Sequence, residues 1–417
     1  MTRSLSLPRT RTACEVLDAA DPLGAYRHEF KIEPGLIYLD GNSLGALTHR
    51  AAARVQSMVE REWGQDLIRS WNKHGWFDLP GRLGARIAPL IGAEADEVLV
   101  ADSTSVNLFK LVSGVSGLRA ERRRIVTERG NFPTDLYVLQ SLADLSGGAL
   151  EVLALPRDEI EAAIDSSTFL VVLTHVHYKT AELFDLAAIT AGAHAAGARV
   201  LWDLSHSVGA LPLELGASKV DLAVGCTYKY LNGGPGAPAF LYVRRDLQES
   251  LRPALAGWMG HHAPFDFHDD YRPARGVARH RCGTPSMIAF AALDGALEAI
   301  AGVDMRLIRA KSEVLTELFI ARVEALGPGT GLRLASPRAF ERRGSHVAFT
   351  HPRGYGLMQA LIERGVIGDF RAPDIVRFGF TPLYLRHVDV WDAVETISEV
   401  LLAGADRHVA AERAAVT

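Results

Sequence analysis

The feature that most constrains the fold is a repeated order of short apolar run, polar turn and helical stretch through the middle of the chain. The segment "EVLVADSTSVNLFKLVSGV" has this order, with a helix entered at Thr104–Ser105, and "RRRIVTERGNFPTDLYVLQSLADL" repeats it. The runs in "STFLVVLTHVHYKT", "ARVLWDLSHSVGALP" and "VDLAVGCTYKYL" are typical of buried parallel strands. This alternation predicts an α/β fold with a mainly parallel sheet and a ligand at the carboxyl ends of its strands.

The pattern changes at about residue 300. A long amphipathic segment, "MRLIRAKSEVLTELFIARVEALG", is followed by the shorter strand-like pieces "HVAFTH", "VIGDF" and "IVRFGF". We therefore predict three parts in the chain. These are an N-terminal segment (1–45) that packs with the small domain, a large ligand-binding domain (46–295) and a small α+β domain (296–417).

The composition excludes several classes of partner. A net charge of −4 gives no basic field for nucleic acid or an anionic membrane, and no run of about 18 apolar residues occurs. Cys14, Cys226 and Cys282 lie too far apart for metal-ligand spacing or a disulfide framework, so no metal is expected. The start of the chain, "MTRSLSLPRTRTACEVLDAADPLG", lacks the apolar core of a signal peptide. These features predict a cytoplasmic protein that binds neither nucleic acid nor membrane.

One short motif, "CTYKYLNGGPGAPAFLYV", places Lys229 between Tyr228 and Tyr230 and leads into a glycine-rich loop. A lysine that bonds covalently to a carbonyl must spend time uncharged, and neighbours that exclude water favour the uncharged form. The glycines let a bulky ligand or a neighbouring chain approach the backbone closely. The alternative is a strand-edge lysine whose stem packs on the tyrosines while its ammonium group is solvated.

A second motif, "LWDLSHSVGALP", places Asp203 and His206 after an apolar run, so Asp203 is expected at the carboxyl end of a strand. A carboxylate buried there needs a cationic partner. Enzymes that use pyridoxal phosphate pair an acid with the ring nitrogen and a lysine with the aldehyde. Taken separately, Asp203 also fits a turn carboxylate, and His206 fits a satisfied core histidine.

Two further motifs suit the same ligand. The segment "DSTSVNLFK" offers the hydroxyls of Thr104 and Ser105 at a helix N-terminus, where a phosphate group is favoured. The segment "NFPTDLY" offers Phe132, which can stack on a flat ring, and Asp135 as a second carboxylate. Simple helix capping explains the first motif equally well, and a turn led by Pro133 explains the second.

Six motifs, in order along the chain, resemble those of the kynureninases, which belong to the class V aminotransferase group of fold type I pyridoxal phosphate enzymes. They are "YLDGNSLG" (38–45), "NFPTD" (131–135), "WDLSHSVGALP" (202–212), "TYKYLNGGPG" (227–236), "GWMGH" (257–261) and "RFGFTPLY" (377–384). The resemblance runs from about residue 36 to 385. It implies a fold type I large domain, a smaller α+β domain and pyridoxal phosphate as cofactor.

The resemblance also implies roles for individual residues. Lys229 would be the catalytic lysine linked to the cofactor, Tyr228 a catalytic hydroxyl beside its phosphate, and Asp203 the acid on its ring nitrogen. The other cofactor contacts it implies are Thr104, Ser105, Phe132, Pro133, Thr134, Asp135, His206, Trp258 and Thr284. The substrate contacts it implies are Arg377, on the α-carboxylate, with Asn42 and Ser43. Without the resemblance, Arg377 fits an ion pair, Trp258 an interface core and "DGNS" a turn.

The implied oligomer is a homodimer with a shared active site, because Trp258 and Thr284 fall where family members reach into the neighbouring subunit. Many members carry asparagine at the position of Thr284. The implied reaction is hydrolytic cleavage of the Cβ–Cγ bond of L-kynurenine to anthranilate and L-alanine, in tryptophan catabolism. Lys229 would move the α-proton, and Tyr228 would protonate the departing carbon.

Several alternatives stay open at this point. A cysteine desulfurase or selenocysteine lyase would need a reactive cysteine on a mobile loop, a transaminase would need a keto-acid acceptor, and a catalytically idle relative would need neither. The sequence does not rank L-kynurenine against 3-hydroxy-L-kynurenine, whose product would be 3-hydroxyanthranilate, nor does it specify the pathway served. Trp71 and Trp76 in "SWNKHGWF" are both candidates to contact the substrate's aromatic ring.

Overall fold

The computed structural model describes residues 7–118 and 121–407. Within these ranges the strands, numbered β1 to β13 in chain order, are Ile37–Tyr38, Val98–Val100, Arg124–Glu128, Glu151–Leu155, Thr168–Thr174, Arg199–Asp203, Leu222–Gly225, Phe240–Val243, Arg333–Leu334, His346–Thr350, Val366–Ile367, Asp369–Arg371 and Ile375–Gly379. The α-helices, numbered α1 to α12, are Arg11–Ala19, His49–Ser57, Ser70–Lys73, Leu79–Ile87, Thr104–Ser116, Pro133–Leu145, Ile160–Ala163, Leu186–Ala195, Met287–Ala299, Met305–Ala325, Gly354–Ile362 and His387–Leu402.

The largest sheet has seven strands in the order β2-β8-β7-β6-β5-β3-β4. The neighbouring pairs β4–β3, β3–β5, β5–β6 and β6–β7 are parallel. Strand β8 is antiparallel to both β7 and β2. Strands β5, β7 and β8 are buried along their whole length, which explains their continuous apolar runs. The predicted α/β fold with a mainly parallel sheet is confirmed.

A second, four-stranded antiparallel sheet has the order β12-β13-β10-β9, and the long helix α10 precedes it in the chain. The N-terminal segment reaches this region, since Ile37 pairs with Val366 in a short parallel ladder. Helix α1 also contacts α12, where Asp18 accepts a hydrogen bond from the ring of His387. The domain bounds at residues 45 and 295 stay a prediction.

One helix differs from its local pattern. The segment after residue 48 suggests a single continuous helix, but α2 ends at Ser57 and the chain continues as a π-helix over Met58–Asp66. Buried Glu62 accepts hydrogen bonds from Arg54 at 2.5 Å and from the Trp76 indole at 2.6 Å. These charged contacts offset the poorer backbone geometry of the wider helix.

The strand directions bring a set of polar side chains to one edge. Because β3, β5, β6 and β7 run parallel, the residues that follow their carboxyl ends meet at the same side of the sheet. Asn131 follows β3, Thr174 ends β5, Asp203 ends β6 and Lys229 follows β7. This edge holds the candidate site.

Candidate active site

The lysine and the acid singled out from the sequence follow two adjacent strands. Asp203 is the last residue of β6 and lies opposite Val224 of β7, and Lys229 follows four residues after β7 ends. The Lys229 Nζ atom lies 2.8 Å from Nε2 of His206. Asp203 accepts a hydrogen bond from the Ser205 amide at 2.7 Å, which fixes the carboxylate at the strand end. The structure therefore brings Asp203, His206 and Lys229 together.

Asp135 and Asp203 form a pair of buried acids, with exposed fractions of 1% and 5%. Asp135 accepts hydrogen bonds from Thr174 at 3.2 Å and from Asn131 at 3.3 Å. Burial, followed by the charge of Asp203, raises the pKa of Asp135 well above its ordinary range, and burial raises the pKa of Asp203 as well. The pair therefore suits a ligand that brings a cation.

A cavity of about 360 Å³ reaches Tyr228, the chain neighbour of Lys229, and is not lined by Asp135 or Asp203. Its lining includes Ser103, Thr104, Tyr228 and Thr284, but not Ser105 or Lys229. Helix α5 begins at Thr104, as the sequence predicts, and its N-cap is Ser103, whose hydroxyl accepts from the Val106 amide at 3.3 Å. Thr104 is the first helical residue, so the hydroxyls and free amides of this helix end face a space that suits an anion.

Arg377 is 2% exposed, so it is not a surface residue. Its Nε donates to Oδ1 of Asp369 at 2.6 Å and its Nη2 donates to Oδ2, which makes a buried bidentate pair. Nη2 also donates to the Ser43 hydroxyl at 3.2 Å. Asp369 is not among the site residues predicted from the sequence. The signal that could have revealed it is a carboxylate within the otherwise apolar segment "VIGDF".

Two further contacts connect Arg377 with the Phe132 side of the site. Arg377 donates through Nη1 to the carbonyl of Tyr178, and the Tyr178 ring meets the Phe132 ring edge to face at 5.4 Å. Asn42 is fully buried, and neither atom of its amide has a hydrogen-bond partner. A Cβ added at Gly379 would lie 1.8 Å from the Asn42 Oδ1, so only glycine leaves room for this amide.

Other predicted site residues have local contacts of their own. Trp258 is 37% exposed and packs against Phe265 at 5.8 Å between ring centroids. Pro133 and Thr134 are the first two residues of α6. The rings of Trp71 and Trp76 pack on each other at 5.7 Å.

The cysteines and the helices bear on the alternative functions. Cys14 and Cys226 are buried and Cys282 is partly buried, and burial raises the pKa of all three thiols.

In the ranges 7–118 and 121–407, no three His, Cys, Asp or Glu side chains cluster in a way that could hold a metal ion. Across the same ranges, every helix is too short or too polar to cross a membrane.

Comparison with known proteins gives consistent matches. The family model described as the kynureninase C-terminal domain matches residues 308–397. A kynureninase of Burkholderia mallei (strain SAVP1) is 50% identical over 416 residues, which cover 98% of this chain and all of that protein. A kynureninase of Pseudomonas fluorescens is 50% identical over 398 residues, covering 94% of this chain and 95% of the relative.

Solved structures show the same fold at much lower identity. The cysteine desulfurase CsdA of Escherichia coli superposes with a TM-score of 0.77 at 18% identity, covering 91% of this chain and 98% of that one. A cystine C-S lyase, C-DES, superposes with a TM-score of 0.73 at 18% identity, covering 88% of this chain and 98% of that one. These matches confirm the predicted fold type I architecture. The 50% identity over the full length decides the family: this chain belongs to the kynureninases.

Proposed function

We propose that this protein hydrolyses L-kynurenine to anthranilate and L-alanine, with pyridoxal phosphate as its cofactor. The observation that carries the proposal is the buried acid pair Asp135–Asp203 at the same sheet edge as Lys229. Full-length similarity to kynureninases supports the choice of reaction.

The residues present fit this cofactor at both of its ends. The acid pair is short of a cation, and a protonated ring nitrogen would supply one at Asp203. The N-terminus of α5, with Ser103 and Thr104, suits the phosphate. When bound, pyridoxal phosphate supplies an electron-accepting ring that stabilises negative charge at the substrate's α-carbon. Ser105, Phe132, Pro133, Thr134, His206, Trp258 and Thr284 remain proposed contacts.

Lys229 and Tyr228 are the proposed proton carriers. The Nζ of Lys229 would hold the cofactor, and the same amine would move the proton at the substrate's α-carbon. The charge of nearby Cys226, followed by burial, raises the pKa of Tyr228, so its hydroxyl stays protonated and can donate to the departing β-carbon.

Arg377 is the proposed ligand of the substrate carboxylate. Asp369 already occupies its Nε and Nη2 edge, so the carboxylate would bind at the Nη1 and Nη2 edge and displace the Ser43 hydroxyl. The unpaired amide of buried Asn42 supports a polar substrate contact close by.

A cysteine desulfurase is the second candidate, because solved desulfurases share the fold. Such an enzyme needs an accessible thiolate, yet Cys14 and Cys226 are buried and the pKa of the Cys282 thiol is raised by burial. The cysteines therefore favour kynurenine hydrolysis.

We further propose a homodimer with a shared active site and a cytoplasmic location. Trp258, Phe265 and Phe267 form an exposed aromatic patch that supports association of two chains. Three free cysteines suit a reducing compartment.

The direct test is incubation of the purified, cofactor-loaded protein with L-kynurenine while anthranilate fluorescence is recorded. We expect fluorescence to rise and alanine to appear in equal amount. Sulfide release from cysteine, with no anthranilate from kynurenine, would overturn the proposal in favour of the desulfurase.

A further inference from the structure

A buried histidine that the proposed chemistry does not use lies next to the lysine site. His346 begins β10 and is 0% exposed, and apart from a backbone contact with Tyr178 its ring nitrogens have no hydrogen-bond partner. Its ring centroid lies 5.3 Å from that of His206. Because an unpaired buried polar group is costly, the remaining ring nitrogen calls for a functional partner.

His206 has a matching unpaired atom. Its Nε2 contacts the Lys229 Nζ at 2.8 Å, whereas its Nδ1 is buried without a partner. A lysine ammonium can only donate, so this contact requires an Nε2 without hydrogen. Neutral His206 must then carry its proton on Nδ1, and that N–H needs an acceptor.

His346 is the side chain placed to accept it. At this ring separation the two imidazoles can hydrogen-bond directly after a small rotation, or through one water. The backbone of Tyr178 also lies beside His346, and its carbonyl can accept the remaining N–H of His346. Arg377 donates to the same carbonyl through Nη1. In this arrangement Lys229 donates to His206, His206 donates to His346, and His346 donates to the carbonyl of Tyr178.

The charges around both rings favour their neutral forms. Lys229, Arg377 and Arg371 face His206, while Arg377, His177 and Lys229 face His346. Together with burial, these neighbours hold the pKa of each imidazole well below its ordinary range. A neutral imidazole has one donor and one acceptor nitrogen. The proposed hydrogen bonds from Lys229 through His206 and His346 to Tyr178 require both kinds of nitrogen in each ring.

We propose that His346 is a positioning residue for Lys229: it accepts the Nδ1–H of His206 and so keeps the His206 Nε2 free to accept from the lysine nitrogen. The inference rests on the proposed attachment of the cofactor at Lys229. Without His346, His206 can move its proton to Nε2, which then faces the lysine as a donor and disfavours positive charge there.

The first test is a pH titration of the visible absorbance of the cofactor-loaded protein in the wild type, His346→Phe and His346→Gln. Phenylalanine keeps a planar aromatic ring and removes both ring nitrogens, so we expect the midpoint to fall by about one pH unit. Glutamine keeps a donor and an acceptor, so we expect a midpoint within a few tenths of a unit of the wild type. His351→Phe, which removes a buried histidine in the turn directly after β10, is the control for lost stability and should leave the midpoint unchanged.

The second test needs no variant at position 346 and no bound cofactor. Selective ¹⁵N labelling of histidine, with His206→Gln used for assignment, reports which ring nitrogen of His206 carries hydrogen. The proposal requires hydrogen on Nδ1. Hydrogen on Nε2, or equal titration midpoints for His346→Phe and the wild type, would overturn it. Absence of visible absorbance in the wild type would instead contradict the cofactor site itself.

Discussion

Lys229 is the residue on which the proposed chemistry depends, since its Nζ is the lysine nitrogen at the sheet edge beside Asp203 and His206. Lys229→Ala should abolish anthranilate formation and the visible absorbance of bound cofactor, because no amine remains to form the linkage. Absorbance spectroscopy and a fluorescence assay measure both effects. Lys31→Ala, at an exposed lysine, should retain both. A Lys229→Ala protein that kept its colour and turnover would show that another residue binds the cofactor.

Arg377 combines a proposed substrate contact with a buried ion pair. Arg377→Lys keeps the charge but loses the fork that holds Asp369, so we expect KM for L-kynurenine to rise at least tenfold while the visible absorbance persists. Arg377→Ala leaves Asp369 without its bidentate partner and should also cost roughly 3 kcal/mol of unfolding free energy.

Arg343→Lys is the matched control, because Arg343 is fully buried in the same domain but pairs with Glu317. It should lower stability without changing KM. Loss of the cofactor from Arg377→Lys would show a structural role for Arg377 instead.

Asp40 gives the protein a pH-dependent stability. Burial, followed by the charge of Asp369, raises the pKa of Asp40 from 3.8 to about 7, while Asp369 stays ionised against Arg377. The folded state therefore holds a proton that the unfolded chain releases between these two pH values. Stability falls as pH rises through this window and is lowest above it. Asp40→Asn cannot ionise, so it should lose this decline and gain up to roughly 4 kcal/mol at pH 8. Urea unfolding of both proteins at pH 5 and pH 8 measures this difference in unfolding free energy. If the unfolding free energies of Asp40→Asn and the wild type change with pH in the same way, the prediction is wrong.

At the scale of single elements, the N-terminus of α5 is the part most closely tied to cofactor binding. Ser103→Ala removes the hydroxyl that caps the Val106 amide, which should cost about 1 kcal/mol of stability. Because the same helix end lines the cavity beside Tyr228, the affinity for pyridoxal phosphate should fall several-fold as well. Thermal unfolding and cofactor titration measure the two effects.

Thr48→Ala provides the comparison, since Thr48 caps α2 through the Ala51 amide at 3.0 Å. It should reduce stability by a similar amount and leave cofactor affinity unchanged. Equal cofactor affinities in Ser103→Ala and the wild type would place the phosphate elsewhere.

At the scale of the whole molecule, the exposed aromatic patch of Trp258, Phe265 and Phe267 predicts a dimer contact. Phe265 is 60% exposed and Phe267 is 75% exposed, which is costly for rings of this size in solvent. The double variant Phe265→Ser, Phe267→Ser should shift the protein towards monomer and weaken cofactor retention. Analytical ultracentrifugation measures the first effect. Leu402→Ser, at an 86% exposed residue, should remain dimeric. A wild-type protein that sediments as a monomer would remove the basis for a shared site.

The sequence by itself determined the fold class and the edge of the sheet that carries the site. Buried parallel strands need continuous apolar runs, so the runs before Asp203 and before Lys229 predicted two buried strands, which the structure pairs as β6 and β7. Parallel strands end at the same edge, and both residues therefore had to meet there. The family also followed from the sequence, because its motifs keep their order and spacing along the chain.

Only the tertiary structure decided which side chains complete the site. Asp369 meets Arg377 across the β12–β13 ladder, His346 approaches His206 from the small sheet, and Tyr178 reaches Arg377 from the turn that follows β5. Local patterns encode periodicity and turn chemistry, whereas the His346–His206 and Tyr178–Arg377 contacts join segments far apart in the chain. They exist only once the two sheets have packed together.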